Sequence, residues 1–550
     1  MNTSAHQQTF KQELSRLNTA QQEAVNTLEG PVLVIAGPGT GKTQILAARI
    51  GNILSSEFQL AQPENILCLT YTDAGTIAMR KRLLQFIGPD AYRVHIHTFH
   101  SFCNKIIQEN KDVFGVRDLD PITELEQVKL YRQLIDGLAP SNPLKRLTGD
   151  AYFEMGRMAQ LFRLMKTEGW TEALLLQKID EYLADLPQRE EYIYKKGNSK
   201  TGVKAGDVKT EKIKEQTEKM NLLKAAVGEF KNFEAMMRKS GRYDYDDMIL
   251  WVQNAFAQDE NLLRNYQEQY LYFLVDEFQD TNGAQNDILK KLVSYWDAPN
   301  VFVVGDDDQS IYRFQGANIE NIMQFSHSYA EQLRVVMLTE NYRSTQHILN
   351  LALHLIRNNT ERLVKQTPGL EKNLIACNEN YAQLEVLPQL REYYNSVHET
   401  VHIAQEIETR FKNGEDLSEI AVLYRNHKQA EEISRYLEQK NISVNIRKKL
   451  NILTSLFVQK MLTILEYLSG EAYMPHSRED LLFEILHYDF FQIPAIDIAR
   501  FAADIRDKRT TFWREELQKI KGKTQNNLFQ TQPNQNTFPV LPGCVRLKLA

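Results

Sequence analysis

The chain has 550 residues, 43 % of them hydrophobic and 25 % charged, with a net charge of −6. This is an ordinary globular balance in a chain long enough for several domains of about 100–200 residues. It excludes a wholly basic surface, so any nucleic-acid site has to be a local groove. The four cysteines, Cys68, Cys103, Cys377 and Cys544, lie far apart and form no C-x-x-C pair. They argue for a reducing compartment and against a disulfide framework or a zinc ribbon. The polar start M-N-T-S-A-H-Q-Q lacks the basic and apolar regions of a signal peptide. No apolar run approaches the roughly 18 residues of a membrane span, so the expected location is cytoplasmic, with no membrane partner.

Leu17 to Val25 reads L-N-T-A-Q-Q-E-A-V, with Asn18 or Thr19 as the expected helix cap and Gln21 able to read the donor and acceptor edge of adenine. Pro31 to Ile35 is an apolar, β-branched run expected as a buried strand. Ala36-Gly37-Pro38-Gly39-Thr40-Gly41-Lys42-Thr43 follows, and Gln44 to Leu54 then has helical spacing. Strand, glycine loop and helix are the setting of a Walker A phosphate loop. Its backbone N–H groups and the helix N-terminus favour phosphate. Lys42 can reach the β- and γ-phosphates of ATP, and the Thr43 hydroxyl can hold Mg2+.

Asn65 to Thr70 and Arg93 to Thr98 are further predicted strands, with a helix expected over Ala74 to Phe86. His95, His97 and His100 invite a metal reading, but no acidic residue lies close by in sequence. A loop reaching nucleic-acid phosphates fits them better. About 104–241 reads as an inserted helical subdomain. Within it, Lys195 to Lys219 is lysine-rich with interleaved glycines. That stretch reads either as a solvated flexible loop or as a loop touching a DNA backbone. The acids of Tyr243 to Leu250 are given no chemistry.

Leu271 to Asp276 is an apolar strand ending in Asp276-Glu277, the Walker B pattern. There Asp276 can hold Mg2+ through its water shell. Glu277 can orient and deprotonate the attacking water. Val301 to Gly305 is another buried strand, followed by D-D-D-Q-S-I-Y-R-F-Q-G-A. Gln309 can sense the γ-phosphate. Tyr312 and Phe314 are either core residues or flat faces on which bases stack, at about 1–3 kcal/mol per base. Arg343, in L-T-E-N-Y-R-S-T, can bring positive charge to the leaving γ-phosphate. A second α/β pattern follows: helix 402–412, strand 419–424, helix 427–440 and strand 443–446. Leu462 to Asp507 reads as helical, and the Gln/Asn-rich stretch from Lys521 as disordered or irregular.

Taken in order, L-N-T-A-Q-Q-E-A-V, A-G-P-G-T-G-K-T, L-T-Y-T, H-T-F-H-S-F, L-V-D-E-F-Q-D-T, V-V-G-D-D-D-Q-S-I-Y-R-F-Q-G-A and L-T-E-N-Y-R-S-T resemble the motif set of the UvrD/Rep-like DNA helicases of superfamily 1. The resemblance is strong over about 14–346 and weaker over 347–470. It implies α/β, RecA-like parallel-sheet core domains with helical insertions, and ATP in a cleft. The expected layout is an ATP-binding region over 1–346, a partial second RecA-like domain over 347–470, and a second insertion with an irregular tail over 471–550.

Site roles carry over with the resemblance. Gln21 would read adenine and Tyr342 would stack on it. Lys42 would hold phosphates, and Thr43 and Asp276 would hold Mg2+. Glu277 would be the catalytic base, Gln309 the γ-phosphate sensor and Arg343 an arginine finger. Tyr71, Thr98, His100, Tyr312 and Phe314 would lie along single-stranded DNA. The implied activity is ATP-driven 3′-to-5′ movement on single-stranded and partly duplex DNA, in repair or recombination. A nucleotide-gated single-stranded-DNA-binding module and the helicase part of a helicase–nuclease are the alternatives.

Departures from the family pattern are Asp73-Ala74 for its Asn-Lys pair, Ala78 for its glutamate, Phe314 for tryptophan and Gln315 for arginine. The family's T-x-H-x-x-K-G-L-E and A-L-T-R-A type segments are not found in the sequence. The expectation is therefore a C-terminally incomplete helicase, with ATP binding nearly intact, hydrolysis strongly reduced and duplex unwinding absent or very weak.

Overall fold

The computed structural model describes residues 3–55, 61–115, 119–196, 204–311, 320–360, 362–366, 371–446, 452–507 and 512–517. Its strands are β1 (Val32–Ala36), β2 (Ile66–Thr70), β3 (His95–Thr98), β4 (Asp120–Pro121), β5 (Arg242–Tyr243), β6 (Tyr272–Val275), β7 (Val301–Gly305), β8 (Arg334–Leu338), β9 (Glu340–Asn341) and β10 (Ile375–Ala376). Six of them form one sheet in the order β3-β2-β6-β7-β1-β8. Every pairing in it is parallel. The α/β parallel-sheet class read from the sequence is the class observed.

The uninterrupted apolar runs follow from burial on both faces. In β1, Leu33 and Ile35 pack with the helices Phe99–Glu109, Tyr245–Gln258 and Gly283–Val293. Val32, Val34 and Ala36 face the opposite core, with the helices Thr19–Asn26, Lys42–Ser55 and Asp73–Ile87. The same two-residue alternation holds in β2, β6 and β7. Strand β8 was not expected from the sequence. It is an edge strand whose Arg334 and Val335 are exposed while Val336 and Leu338 are buried, so it lacks the fully apolar pattern.

The chain between β3 and β6 is mostly helical. Part of it, from Leu130 to Met237, encloses a separate core around Tyr131, Phe162 and Phe233. Lys166 is buried there against Asp244 at 2.7 Å and Asp247 at 2.6 Å. Asp244 also caps the helix Tyr245–Gln258. Asp244 and Asp247 are thus structural.

Packing groups Met1–Gln389 as one compact unit and Leu390–Ala550 as another. In the second, the helices Ser396–Lys412 and His427–Gln439 meet around Ala404, Ile407, Ile433 and Leu437. The strands expected at 419–424 and 443–446 are not formed. Both stretches line one 530 Å³ pocket without a hydrogen-bonded ladder. Alternating apolar residues were read as strand, but a strand also needs a paired backbone neighbour. No described helix is long and apolar enough to cross a membrane.

Candidate nucleotide site

Because the sheet is parallel, all its strands end at one edge, and loops from adjacent strands meet there. The order β6-β7-β1-β8 thus sets Asp276-Glu277, Asp306 to Gln309, the glycine loop and Glu340 to Arg343 side by side.

In the loop, Gly39 and Gly41 have φ of +71° and +89°, torsions that side chains oppose. A Cβ on Gly39 would stand 2.7 Å from Arg343 Cβ and 2.8 Å from Asn341 Nδ2. Thr40 Oγ1 donates to the Gly37 carbonyl at 2.8 Å. Asn341, fully buried, donates from Nδ2 to the Pro38 carbonyl. Its Oδ1 accepts from the backbone N–H groups of Arg343 at 2.9 Å and Ser344 at 2.7 Å. The Tyr342 N–H donates to the Gly39 carbonyl at 2.9 Å. The loop is therefore tied to the Tyr342-Arg343 turn.

Lys42 Nζ is 2.6 Å from Glu277 Oε2. Glu277 is a non-glycine residue in the left-handed region, with φ of 49°, a strained conformation that a functional turn can retain. Its N–H closes onto Asp276 Oδ1 at 2.9 Å. Gln279 Nε2 donates to Glu277 Oε2 at 2.9 Å and to Asp280 Oδ2 at 3.2 Å. Gln279 Oε1 accepts from the Asp306 N–H at 2.9 Å. Gln309 Nε2 donates to Asp306 Oδ2. One hydrogen-bonded chain thus runs from Lys42 through Glu277, Gln279 and Asp306 to Gln309.

Burial, with the Glu277 charge adding to it, pushes the Asp276 carboxyl up to about 6, and Lys42 opposes the shift. Asp280 is pushed up to about 6 for the same reasons, and its Oδ1 is buried without a hydrogen-bond partner. A buried carboxyl held this high gains from a cation, and Thr43 supplies a hydroxyl at the start of the helix Lys42–Ser55. Carboxylate and hydroxyl are hard oxygen donors that fit Mg2+. By contrast, Asp306, Asp307 and Asp308 converge on Lys372 and Arg362, whose charges already serve them.

On the other side of the loop, Asn18 caps the helix Thr19–Asn26 in a reciprocal box with Gln21. Gln21 is 5 % exposed and donates Nε2 to the Thr40 carbonyl at 2.9 Å. Its amide therefore braces the phosphate loop. Asn18 also donates to the Tyr342 hydroxyl at 3.0 Å, so Gln21 and Tyr342 lie on one network. The Arg343 side chain is exposed and has no hydrogen-bond partner among the described residues.

A model described as the UvrD/REP helicase N-terminal domain matches residues 17–330. The chain belongs to the UvrD/REP helicase family. A model of the UvrD-like helicase C-terminal domain matches residues 336–473. The protein named ATP-dependent DNA helicase PcrA in Staphylococcus aureus (strain Mu50 / ATCC 700699) is 29 % identical over 434 residues, 79 % of this chain and 50 % of the relative. Its namesake in Staphylococcus epidermidis (strain ATCC 12228 / FDA PCI 1200) is 30 % identical over 434 residues, again 79 % of this chain and 50 % of the relative. The chain thus spans about half the length of the curated relatives it matches.

Of the UvrD/REP motif residues read as DNA contacts, Tyr71, Thr98 and His100 line one 730 Å³ cleft with Tyr243 and Tyr245. Thr98 also caps the helix Phe99–Glu109 through its hydroxyl. Tyr312 and Phe314 lie outside the described residues, as does Gln315. The histidines do not gather for a metal. His95 and His97 stack at 5.9 Å, and Lys105 Nζ donates to His95 Nδ1 at 3.1 Å. Burial, then the His95 and Lys105 charges, hold His97 down at about 4. His100 instead faces Asp246 at 3.7 Å. In the lysine-rich stretch, Lys195 pairs with Glu190 and Lys219 with Glu215, and 197–203 lie outside the described residues.

Gln279, Asp280, Asn341, Arg362 and Lys372 join the site although the sequence alone gives them no role. The first three stand inside quoted motifs, so their position was a signal. Arg362 and Lys372 had none.

Proposed function

We propose that this chain carries the nucleotide-hydrolysing half of an ATP-dependent 3′-to-5′ DNA helicase that moves on single-stranded and partly duplex DNA. The observation that carries this reading is the hydrogen-bonded chain from Lys42 through Glu277 and Gln279 to Asp306 and Gln309. In it, the residues read as phosphate-binding cation, base and phosphate sensor share one network. The proposal includes the division into an ATP-binding region, a partial second core domain and a second insertion, as well as cytoplasmic work in DNA repair or recombination.

In this reading the triphosphate takes Lys42 from Glu277 and so frees the carboxylate. Glu277 then orients a water and accepts its proton as the water attacks the γ-phosphorus. Gln309, aimed by Asp306, contacts the γ-phosphate. Arg343, whose guanidinium has no hydrogen-bond partner among the described residues, brings its charge to that growing on the leaving group. Thr43 and Asp276 would hold Mg2+, which when bound would neutralise phosphate charge. Tyr342 stacks on adenine while Gln21 reads its edge and braces the loop. Tyr71, Thr98 and His100, with Tyr312 and Phe314, follow the DNA strand.

The test is ATP hydrolysis by this chain with and without single-stranded DNA, beside Glu277→Gln. DNA-stimulated hydrolysis that Glu277→Gln abolishes supports the reading. Hydrolysis that survives Glu277→Gln overturns the assignment of the base. A second reading, a nucleotide-gated single-stranded-DNA-binding module, is favoured by one observation: the described residues of Leu390–Ala550 contain no paired strand. ATP binding that changes DNA affinity without hydrolysis selects it.

A further inference from the structure

Asp306, Asp307 and Asp308 follow β7, the first two with fully buried side chains. Three adjacent carboxylates in such a place repel one another and lose hydration. The cations that answer them come from beyond the last recognised motif. Arg362 forks onto Asp308 at 2.6 Å and 2.8 Å. Lys372, 2 % exposed, reaches Asp306 Oδ1, Asp307 Oδ1 at 2.8 Å and Asp308 Oδ2 at 3.0 Å. An ammonium has three donors, and here each has an acceptor.

The lysine sits in a fixed seat. Two residues on, Leu374 packs on the phosphate loop so closely that a Cβ on Gly37 would stand 2.5 Å from it. β10 then pairs with β9, the Ile375 N–H donating to the Thr339 carbonyl at 2.9 Å and the Cys377 N–H to the Asn341 carbonyl at 2.8 Å. Lys372 is therefore held by backbone that also touches the glycine loop and the Tyr342-Arg343 turn.

Asp306 is the hub through which this seat acts. Its Oδ1 takes Lys372 and, at 3.1 Å, the Asp308 N–H, and its Oδ2 takes the Gln309 amide. We propose that Lys372 is a positioning residue for the γ-phosphate: by fixing the plane of the Asp306 carboxylate it aims Gln309, and it does so from outside every motif. The proposal rests on the ATP reading of the site. A lysine serving only to balance charge would be replaceable by removal of one negative charge. A positioning lysine would not, because Asp306 Oδ1 would keep only the Asp308 N–H.

The experiment compares Mg2+-dependent affinities of the whole chain for ADP and for the β,γ-imido analogue of ATP, in wild type, Gln309→Ala, Lys372→Met and Lys372→Met with Asp307→Asn. The double variant keeps the charge sum of the cluster. Both Lys372 variants are expected to lose roughly tenfold in analogue-over-ADP preference, as Gln309→Ala does, with ADP affinity within about twofold of wild type. Recovery of the preference in the double variant reduces Lys372 to a counter-charge and overturns the proposal, as does full preference in Lys372→Met. If Lys372→Met does not fold, the double variant decides. If neither binds ADP, Lys372 is a folding residue and the proposal fails. A wild-type chain that binds neither nucleotide, or that shows no preference between them, defeats the reading of the site itself.

Discussion

Asn341→Ala should unfasten the phosphate loop from the turn that carries Tyr342 and Arg343. The buried amide makes three hydrogen bonds, one to the Pro38 carbonyl and two from the N–H groups of Arg343 and Ser344. At about 1 kcal/mol net each, their loss costs about 3 kcal/mol, and more if the freed N–H groups stay buried. A melt of the nucleotide-free chain should report that loss. Titration with ADP should report at least tenfold weaker binding, since the loop no longer rests on its brace. Asn341→Asp keeps both accepting bonds but sets a carboxylate against the Pro38 carbonyl. It should therefore retain more stability than Asn341→Ala while binding phosphate worse. An Asn341→Ala protein within about 0.5 kcal/mol of wild type, with unchanged ADP affinity, would refute the reasoning.

Two further outcomes follow from the same geometry. Asp276 is an acid whose folded pKa of about 6 lies above its ordinary 3.8. Its contribution to stability is therefore fully present below pH 3.8 and lost as pH rises through about 6. In Mg2+-free solution Asp276→Asn should thus stabilise the chain by about 3 kcal/mol at pH 8 and by under about 1 kcal/mol at pH 4, read from melts at the two values. Arg343→Ala should leave the melting profile unchanged, because the exposed guanidinium has no described partner, yet lower the ATP turnover rate at least about a hundredfold in a steady-state assay.

The sheet was legible where physics leaves a one-dimensional trace. β1, β2, β6 and β7 are covered on both faces and so read as unbroken apolar runs. β8 is covered by one neighbour only, and its exposed Arg334 and Val335 hide it. At 419–424 and 443–446 the trace misleads, because Ile420, Val422, Val444 and Ile446 line a pocket instead of joining a ladder. At the site, Lys42 and Gln309 were visible as residue types suited to phosphate, and Glu277 as one suited to a base, near the ends of predicted strands. Asn341 was not, although it stands in a quoted motif, because its bond to Pro38 spans 303 residues. Gln21 was read as a base-contacting amide, and only the fold reveals that it grips the Thr40 carbonyl. Lys372 left no trace, since nothing in its local sequence distinguishes it from a solvated lysine.

The strap around Lys372 bears on where this protein can be cut or spliced. The motif block ends at Thr345, and a fragment trimmed there would look whole by sequence. It would lack the lysine and arginine that face Asp306 to Asp308, the leucine on Gly37 and the strand that pairs with β9. An exchange of ATP-binding halves between relatives would therefore have to carry the chain through Cys377, so that the acids and their cations travel together.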